Sequence, residues 1–344
     1  MKKNRDVLKF LIIFILMYGL ISNFRVINKE ILISLKMWAN ILIPSLFPYL
    51  VISGYVIRTG FPRFFNPIKK VTSNFFNISY ASAEVFLCSL LCGYPCGGIC
   101  ASDIYKRGLI EKKEAERLIC FTNGASPVFL ICAVGGVMLG NIGLGIVMYA
   151  VQTISSVTVG FILGIFSEKN HFSKKPNPTH LKSASLTQCC ENSVVTIVNI
   201  AGYIIVATAV GETVIYLISS LFAYSLNVKY VVYYFLEISK AMKLLSEFGT
   251  SDINFALMCA CASLGGVSVI MQIFGVIDES LKSIKIIIAR FFGAILSFFL
   301  GLFLKGFESI TFSGINPYVP VFVSLMASVI IFILFSARKK QTNL

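Results

Sequence analysis

The sequence predicts an all-α polytopic membrane protein with inverted repeats, two re-entrant hairpins and discontinuous helices. Three observations carry that prediction. Of 344 residues, 56% are hydrophobic and 13% charged, and the mean hydropathy is +0.82, which leaves too little polar surface to coat a water-soluble globule. Apolar runs of roughly 20 residues, enough to cross about 30 Å of hydrocarbon, recur along the chain. Two of these runs are interrupted by glycine, residues 87–102 (LCSLLCGYPCGGICAS) and 258–272 (MCACASLGGVSVIMQ), in matching places of the two halves. Paired interruptions of this kind mark a ligand site at the interface of internal repeats.

Residues 1–30 read as an N-terminal transmembrane helix. The apolar run 8–20 follows Lys2, Lys3, Arg5 and Lys9 as in a secretory signal, yet no small-residue cleavage site precedes the next run, so a retained span is expected. Residues 31–166 form the first repeat. Its first long helix, 31–57, carries Pro44 and Pro48, and an amphipathic piece follows at 61–79.

The formal net charge of +14 is explained by membrane orientation and requires no nucleic acid. Arg58, Arg63, Lys69 and Lys70 fall in one polar stretch, Lys106, Arg107, Lys112, Lys113 and Arg117 in the next, and Lys169, Lys174, Lys175 and Lys182 in a third. The bias of basic loops toward the cytoplasm places all three there. The GYPCGG segment lies between two cytoplasmic loops, so it must enter the membrane and return. A re-entrant hairpin with its tip at 93–95 uses glycine for the turn and proline to stop the helix.

From Arg117 the chain runs outward through 118–139, where Asn123, Gly124, Ala125, Ser126 and Pro127 unwind the helix. Such a break offers backbone groups to a ligand, and its second half points a positive dipole end at an anion. A span at 144–166 returns, and 167–185 is a hydrophilic cytoplasmic linker. Residues 186–336 repeat the plan upside down: a long helix at 192–222, an amphipathic piece at 230–248 with surface pairs Glu237/Lys240 and Lys243/Glu247, a hairpin at 254–276, and spans at 283–304 and 318–335. Residues 337–344 are a basic tail. Parity of this model puts Arg338, Lys339 and Lys340 outside, against the charge bias.

Ten cysteines and two histidines offer no convincing metal set. The cysteines lie in apolar segments as small packing thiols, and Gly93 and Pro95 interrupt the four-residue spacing from Cys88 to Cys100. No Ser/His/Asp set or phosphate-binding glycine loop is present, so neither an enzyme nor a cofactor is expected.

Four stretches resemble, jointly and in order, the family of sporulation integral membrane proteins of the YlbJ (SpoVV) type, which carry the Gate or nucleoside-recognition domain. They are PSLFPY (44–49), GYPCG (93–97) followed by KRGLIEKKEAERL, FTNGASPVFL with GVMLGN (121–141), and SLGGVSVIMQ (263–272). The order of elements is also similar to that of concentrative nucleoside transporters. These resemblances imply an elevator-like carrier, with dipicolinate, a small aromatic dianion moved toward the forespore, as the expected substrate, and an outer forespore membrane location. The acidic residue that nucleoside transporters carry in the first hairpin has no counterpart in CGYPCGG.

The substrate-binding set expected from these readings is Gly93, Tyr94, Pro95, Asn123, Gly124, Ser126, Gly265, Gly266, Ser268, Gln272 and Arg290. It offers hydroxyls, amides and backbone breaks, with Arg290 as the cation matched to a carboxylate, or alternatively snorkelling to the interface. Partners are a small-molecule anionic substrate and the lipid bilayer, with a homo-oligomer possible. Alternatives are a nucleoside or neutral-solute carrier and a non-transporting scaffold of spore assembly.

Overall fold

The computed structural model describes residues 2–59, 66–168, 185–221 and 227–306, and every regular element among them is helical. Four helices there are long and apolar enough to cross a bilayer, Ile142–Ile165, Leu186–Ser220, Asp252–Val276 and Ile284–Leu304, and two bent pairs bring the number up to six. Phe14, Val137, Val198, Ile288 and Phe299 stand exposed on the outside. Lipid tails cover such a surface, and the chain is an integral membrane protein.

Helices α1 (Lys2–Ser22) and α2 (Phe24–Met37) lead through a π-wound turn, Trp38–Leu42, into α3 (Ile43–Thr59). The turn ends two residues before Pro44, and Pro48 lies inside α3. Each proline withholds a backbone donor, and the widened turn lies just ahead of the first of them. Helix α4 (Asn66–Phe76) then meets α5 (Tyr80–Cys92) at 100°, with Lys69 paired to Glu84 at 2.8 Å.

The helices on either side of 93–95 form a hairpin. At the start of α5 the Ser79 amide and the Ser82 hydroxyl donate to Glu114, which sits in the first turn of α7 (Lys112–Phe121). After 93–95, α6 (Cys96–Lys106) packs back along α5 and delivers the chain to the start of that same α7. Both outer ends of the pair therefore lie at one level. Helix α7 continues past a break at 122–126 into a second π-wound helix, Val128–Met138. After Gly140, α8 (Ile142–Ile165) returns antiparallel, with Gly145 against Leu130 and Ile131 and Gly160 against Phe121.

The second half begins with α9 (Leu186–Leu221). At about 1.5 Å per residue its 36 residues exceed the hydrocarbon thickness, so it must tilt or project. Two assignments of the sequence reading are corrected beyond it. The stretch 230–248 is a hairpin rather than a surface segment: α10 (Asn227–Leu236) and α11 (Ile238–Ser246) pack on each other, the rings of Tyr230 and Phe248 meet at 4.4 Å where the outer ends join, and Glu237 is the tip. The stretch 254–276 is a broken crossing rather than a hairpin. Helix α12 (Asp252–Leu264) lies antiparallel to α14 (Ile284–Leu304) through Asp252 with Lys305 at 2.7 Å, Ala256 with Gly301 and Ser263 with Ser297 at 2.6 Å. Helix α13 (Gly266–Val276) carries on to the opposite end, where the Asp278 amide donates to Ser102 of α6 at 2.9 Å. The single residue between α12 and α13 bends the chain without reversing it, whereas Glu237 takes extended dihedrals (φ −147°, ψ 115°) between two short helices.

The order hairpin, broken helix, span thus occurs twice, in opposite directions: the outer ends of α5/α6 lie near Lys285, at the start of α14, and those of α10/α11 near its far end. The span expected at 318–335, the tail 337–344 on which the parity conflict turns, Arg63 and most of the linker 167–185 lie outside the described residues.

Candidate functional site

A helix broken at membrane depth leaves amide and carbonyl groups that no water satisfies, so each must find a partner in the protein. Tracing those partners defines the site, where the two hairpin tips and the two breaks meet.

At the first break, Gly124 accepts from the Tyr94 amide at 2.7 Å. Ala125 is held by Gln152 of α8, whose Oε1 accepts from its amide at 2.9 Å and whose Nε2 donates to its carbonyl at 3.0 Å. The Asn123 carbonyl accepts from Arg290 Nη1 at 2.7 Å. Ser126 Oγ accepts from the Phe129 amide at 3.2 Å. The Asn123 side chain is likewise engaged: Oδ1 accepts from Gly98 in the first turn of α6 at 2.9 Å, and Nδ2 donates to the Ile119 carbonyl at 2.8 Å. Gly93 (φ +70°) presses on this break, since a methyl there would lie 2.5 Å from the Ser126 nitrogen. Pro95 is the N-cap of α6.

At the second break, Gly265 and Gly266 both have positive φ, +72° and +77°. A methyl on Gly266 would approach the Leu236 carbonyl carbon and the Phe235 oxygen to 3.0 Å, so the second hairpin tip rests on it as Gly93 rests on Ser126. A methyl on Gly265 would lie 2.4 Å from Arg290 Nη2. Arg290 is buried rather than snorkelling: its Nε donates to the Leu264 carbonyl at 2.7 Å, while its fully enclosed Nη2 has no hydrogen-bond partner among the described residues. A small cavity beside the guanidinium is lined by Asn123, Gly124, Gln152, Ser155 and Ser263.

The structure therefore joins Gly93, Tyr94, Asn123, Gly124, Ser126, Gly265 and Arg290 into one cluster and sets Gly266 against the second tip. Ser268 and Gln272 stand apart from the clamp, buried on α13 and bonded to each other at 3.2 Å. Two members escaped the sequence reading. Gln152 was visible only as an amide inside an apolar span. Glu237 interrupts the apolar run YVVYYFL and reads as a helix-surface acid, yet it is 2% exposed. Its oxygens accept from the Ser239 and Lys240 amides at 3.1 and 2.7 Å. Tyr94 lies within electrostatic reach of both Glu237 and Arg290.

Four helix N-termini point into this region, each carrying partial positive charge. Asn123 caps α6, Ser126 caps Val128–Met138, and Glu237 caps α11. Among the described residues no side chain caps α13, and its N-cap Gly265 lies beside the Arg290 nitrogen that has no partner there. An uncapped helix N-terminus next to a guanidinium N–H is suited to a carboxylate.

Although one turn of α6 brings the Cys96 and Cys100 sulfurs to 3.7 Å, no group of three metal-ligating side chains occurs among the described residues.

Over 144 residues the chain is 27% identical to the sporulation integral membrane protein YlbJ of Bacillus subtilis strain 168, an alignment covering 41% of this chain. The chain is related to that protein, and the match spans 35% of the relative's length. No family model matches the chain, and no solved structure gives a significant match.

Proposed function

We propose that this relative of a sporulation membrane protein is a bilayer-embedded carrier for a small aromatic anion, dipicolinate, which it moves toward the forespore across the surrounding outer membrane. One observation carries the reading: the enclosed, unpartnered Nη2 of Arg290 beside the uncapped start of α13. A carboxylate placed there receives a charge-assisted bond of about 1.5–3 kcal/mol and completes the fork of a guanidinium already oriented by its other two nitrogens. The reading invokes no catalytic group, cofactor or nucleic acid.

The twofold order of hairpin, broken helix and span supports an inverted-repeat, elevator-like mechanism of the kind found in secondary carriers. Helices α2, α3 and α9 form a frame along the outer side of the hairpins, and the tips and breaks form the unit that carries the substrate past it.

A second reading, a nucleoside or other neutral polyol carrier, draws on Glu237, which places a carboxylate at the second hairpin tip within electrostatic reach of Tyr94. Proteoliposomes loaded with dipicolinate or uridine separate the two. Terbium luminescence outside dipicolinate-loaded vesicles, with no uridine release, is the expected result. Uridine release alone would move the protein to the second class, and release of neither would favour a scaffold.

A further inference from the structure

We propose that Glu212, Glu30 and Lys240 form a proton-binding site that couples the carrier to a proton gradient; the inference rests on the transport reading and adds its driving force. Lys240 projects from α11, the returning arm of the second hairpin. Its ammonium lies 2.7 Å from Glu30 of α2 and 3.8 Å from Glu212 of α9. Tyr233 of α10 donates its hydroxyl hydrogen to Glu212 and accepts one from Lys240 at 3.1 Å. The Lys240 and Glu212 side chains are each only 6% exposed.

Counting charges indicates what the cluster does. Two carboxylates share one buried ammonium, and Lys29 and Lys229 act on Glu30 from outside the cluster, so Glu212 is the carboxylate whose charge depends on Lys240. Glu30 holds the close contact with Lys240. Glu212 stands more than 1 Å farther off by the same measure, and Lys240 is its one ion-pair partner among the described residues. The other groups that bear on the cluster are few. Glu237 sits at the hairpin tip with its oxygens on α11 amides, and Lys29 and Lys229 act on Glu30. Helix α13 has no titratable residue. Tyr18 of α1 is exposed, and Arg58 of α3 bonds Gln188 at that helix's far end.

Lys240 and Tyr233 ride on the hairpin, whereas Glu30 and Glu212 belong to the frame. Displacing the hairpin carries the ammonium away from both carboxylates; Glu30, partly exposed, keeps Lys29 near it, whereas the buried Glu212 is left as an unpaired carboxylate unless it takes up a proton. Proton binding at Glu212 then licenses the displacement, and the return of Lys240 expels the proton.

Two measurements on the full chain in lipid test this. Infrared difference spectra between acidic and alkaline buffer need no substrate: a protonated-carboxyl band is expected that disappears in Glu212→Gln and persists in Glu191→Gln, a change at an exposed position. In proteoliposomes holding a pH dye, wild-type dipicolinate flux should carry protons. Glu212→Gln should reduce that proton movement to the level of protein-free vesicles. Absence of the band, its persistence in Glu212→Gln, or wild-type dipicolinate flux without protons overturns the proposal. A Glu212-dependent band in a protein that carries no dipicolinate supports the proton site and overturns the dipicolinate reading instead.

Discussion

Arg290 and Asn123, 167 residues apart in sequence, are joined by a 2.7 Å bond from Nη1 to the main-chain carbonyl. The neighbouring Nε reaches the Leu264 carbonyl at the same distance. One side chain thereby closes the C-terminal ends of α7 and α12, the first arms of both broken helices, and satisfies two carbonyls that lipid could not.

Gly265→Ala should disable transport. The methyl would stand 2.4 Å from Arg290 Nη2, on a backbone with φ +72°. Gly140→Ala is the matched control, since Gly140 has φ +64° and nothing within 4 Å. Both pay a left-handed penalty of about 1–2 kcal/mol, so both should melt somewhat lower. Only the Gly265 variant should lose dipicolinate flux, and equal flux in the two would detach Gly265 from the site.

Gly93→Leu and Gly266→Leu should insert into the membrane and carry nothing, because each hairpin tip rests on its partner break with no room for a side chain. Membrane-fraction immunoblots with parallel flux assays check this, and wild-type flux in either variant would refute the packing argument.

Gln152→Ala should lower the melting temperature, leaving the Ala125 amide and carbonyl buried without partners at about 1–3 kcal/mol each. Gln152→Glu keeps an acceptor for the amide and loses the donor to the carbonyl, so it should fall between. An unchanged melting temperature in Gln152→Ala would show that water or a neighbour fills the break.

Reporter fusions ending at Gly249 and at Lys282 should lie on opposite sides of the membrane, with alkaline phosphatase active only at the first and a fluorescent reporter only at the second. Matching behaviour would restore a hairpin at 254–276.

How much of this was legible in sequence follows from what kind of signal each element leaves. The first hairpin could be read because Lys106, Arg107 and Lys112 on one side and Lys69 and Lys70 on the other constrain its topology. The first break could be read because Asn123 to Pro127 is a run of poor helix formers. The second hairpin could not. Its tip, Glu237, sits in a stretch whose local pattern suits one amphipathic helix, and only the meeting of Tyr230 with Phe248 across the tip shows the reversal. The glycine pair at 265–266 pointed to a turn, while its actual task is to let a tip and a guanidinium come close. Gln152 and the two carbonyls bound by Arg290 leave no trace in residue type, since backbone satisfaction depends on which distant side chain arrives.

The central claim, that the spare nitrogen of Arg290 receives the anion, is tested most directly by dipicolinate efflux from proteoliposomes bearing wild type, Arg290→Lys or Arg290→Gln, with melting temperatures taken alongside. Loss of a charge-assisted bond predicts a fall of roughly tenfold or more in Arg290→Gln, with Arg290→Lys between, since it keeps the charge without the fork. Wild-type efflux from a folded Arg290→Gln protein would contradict the account.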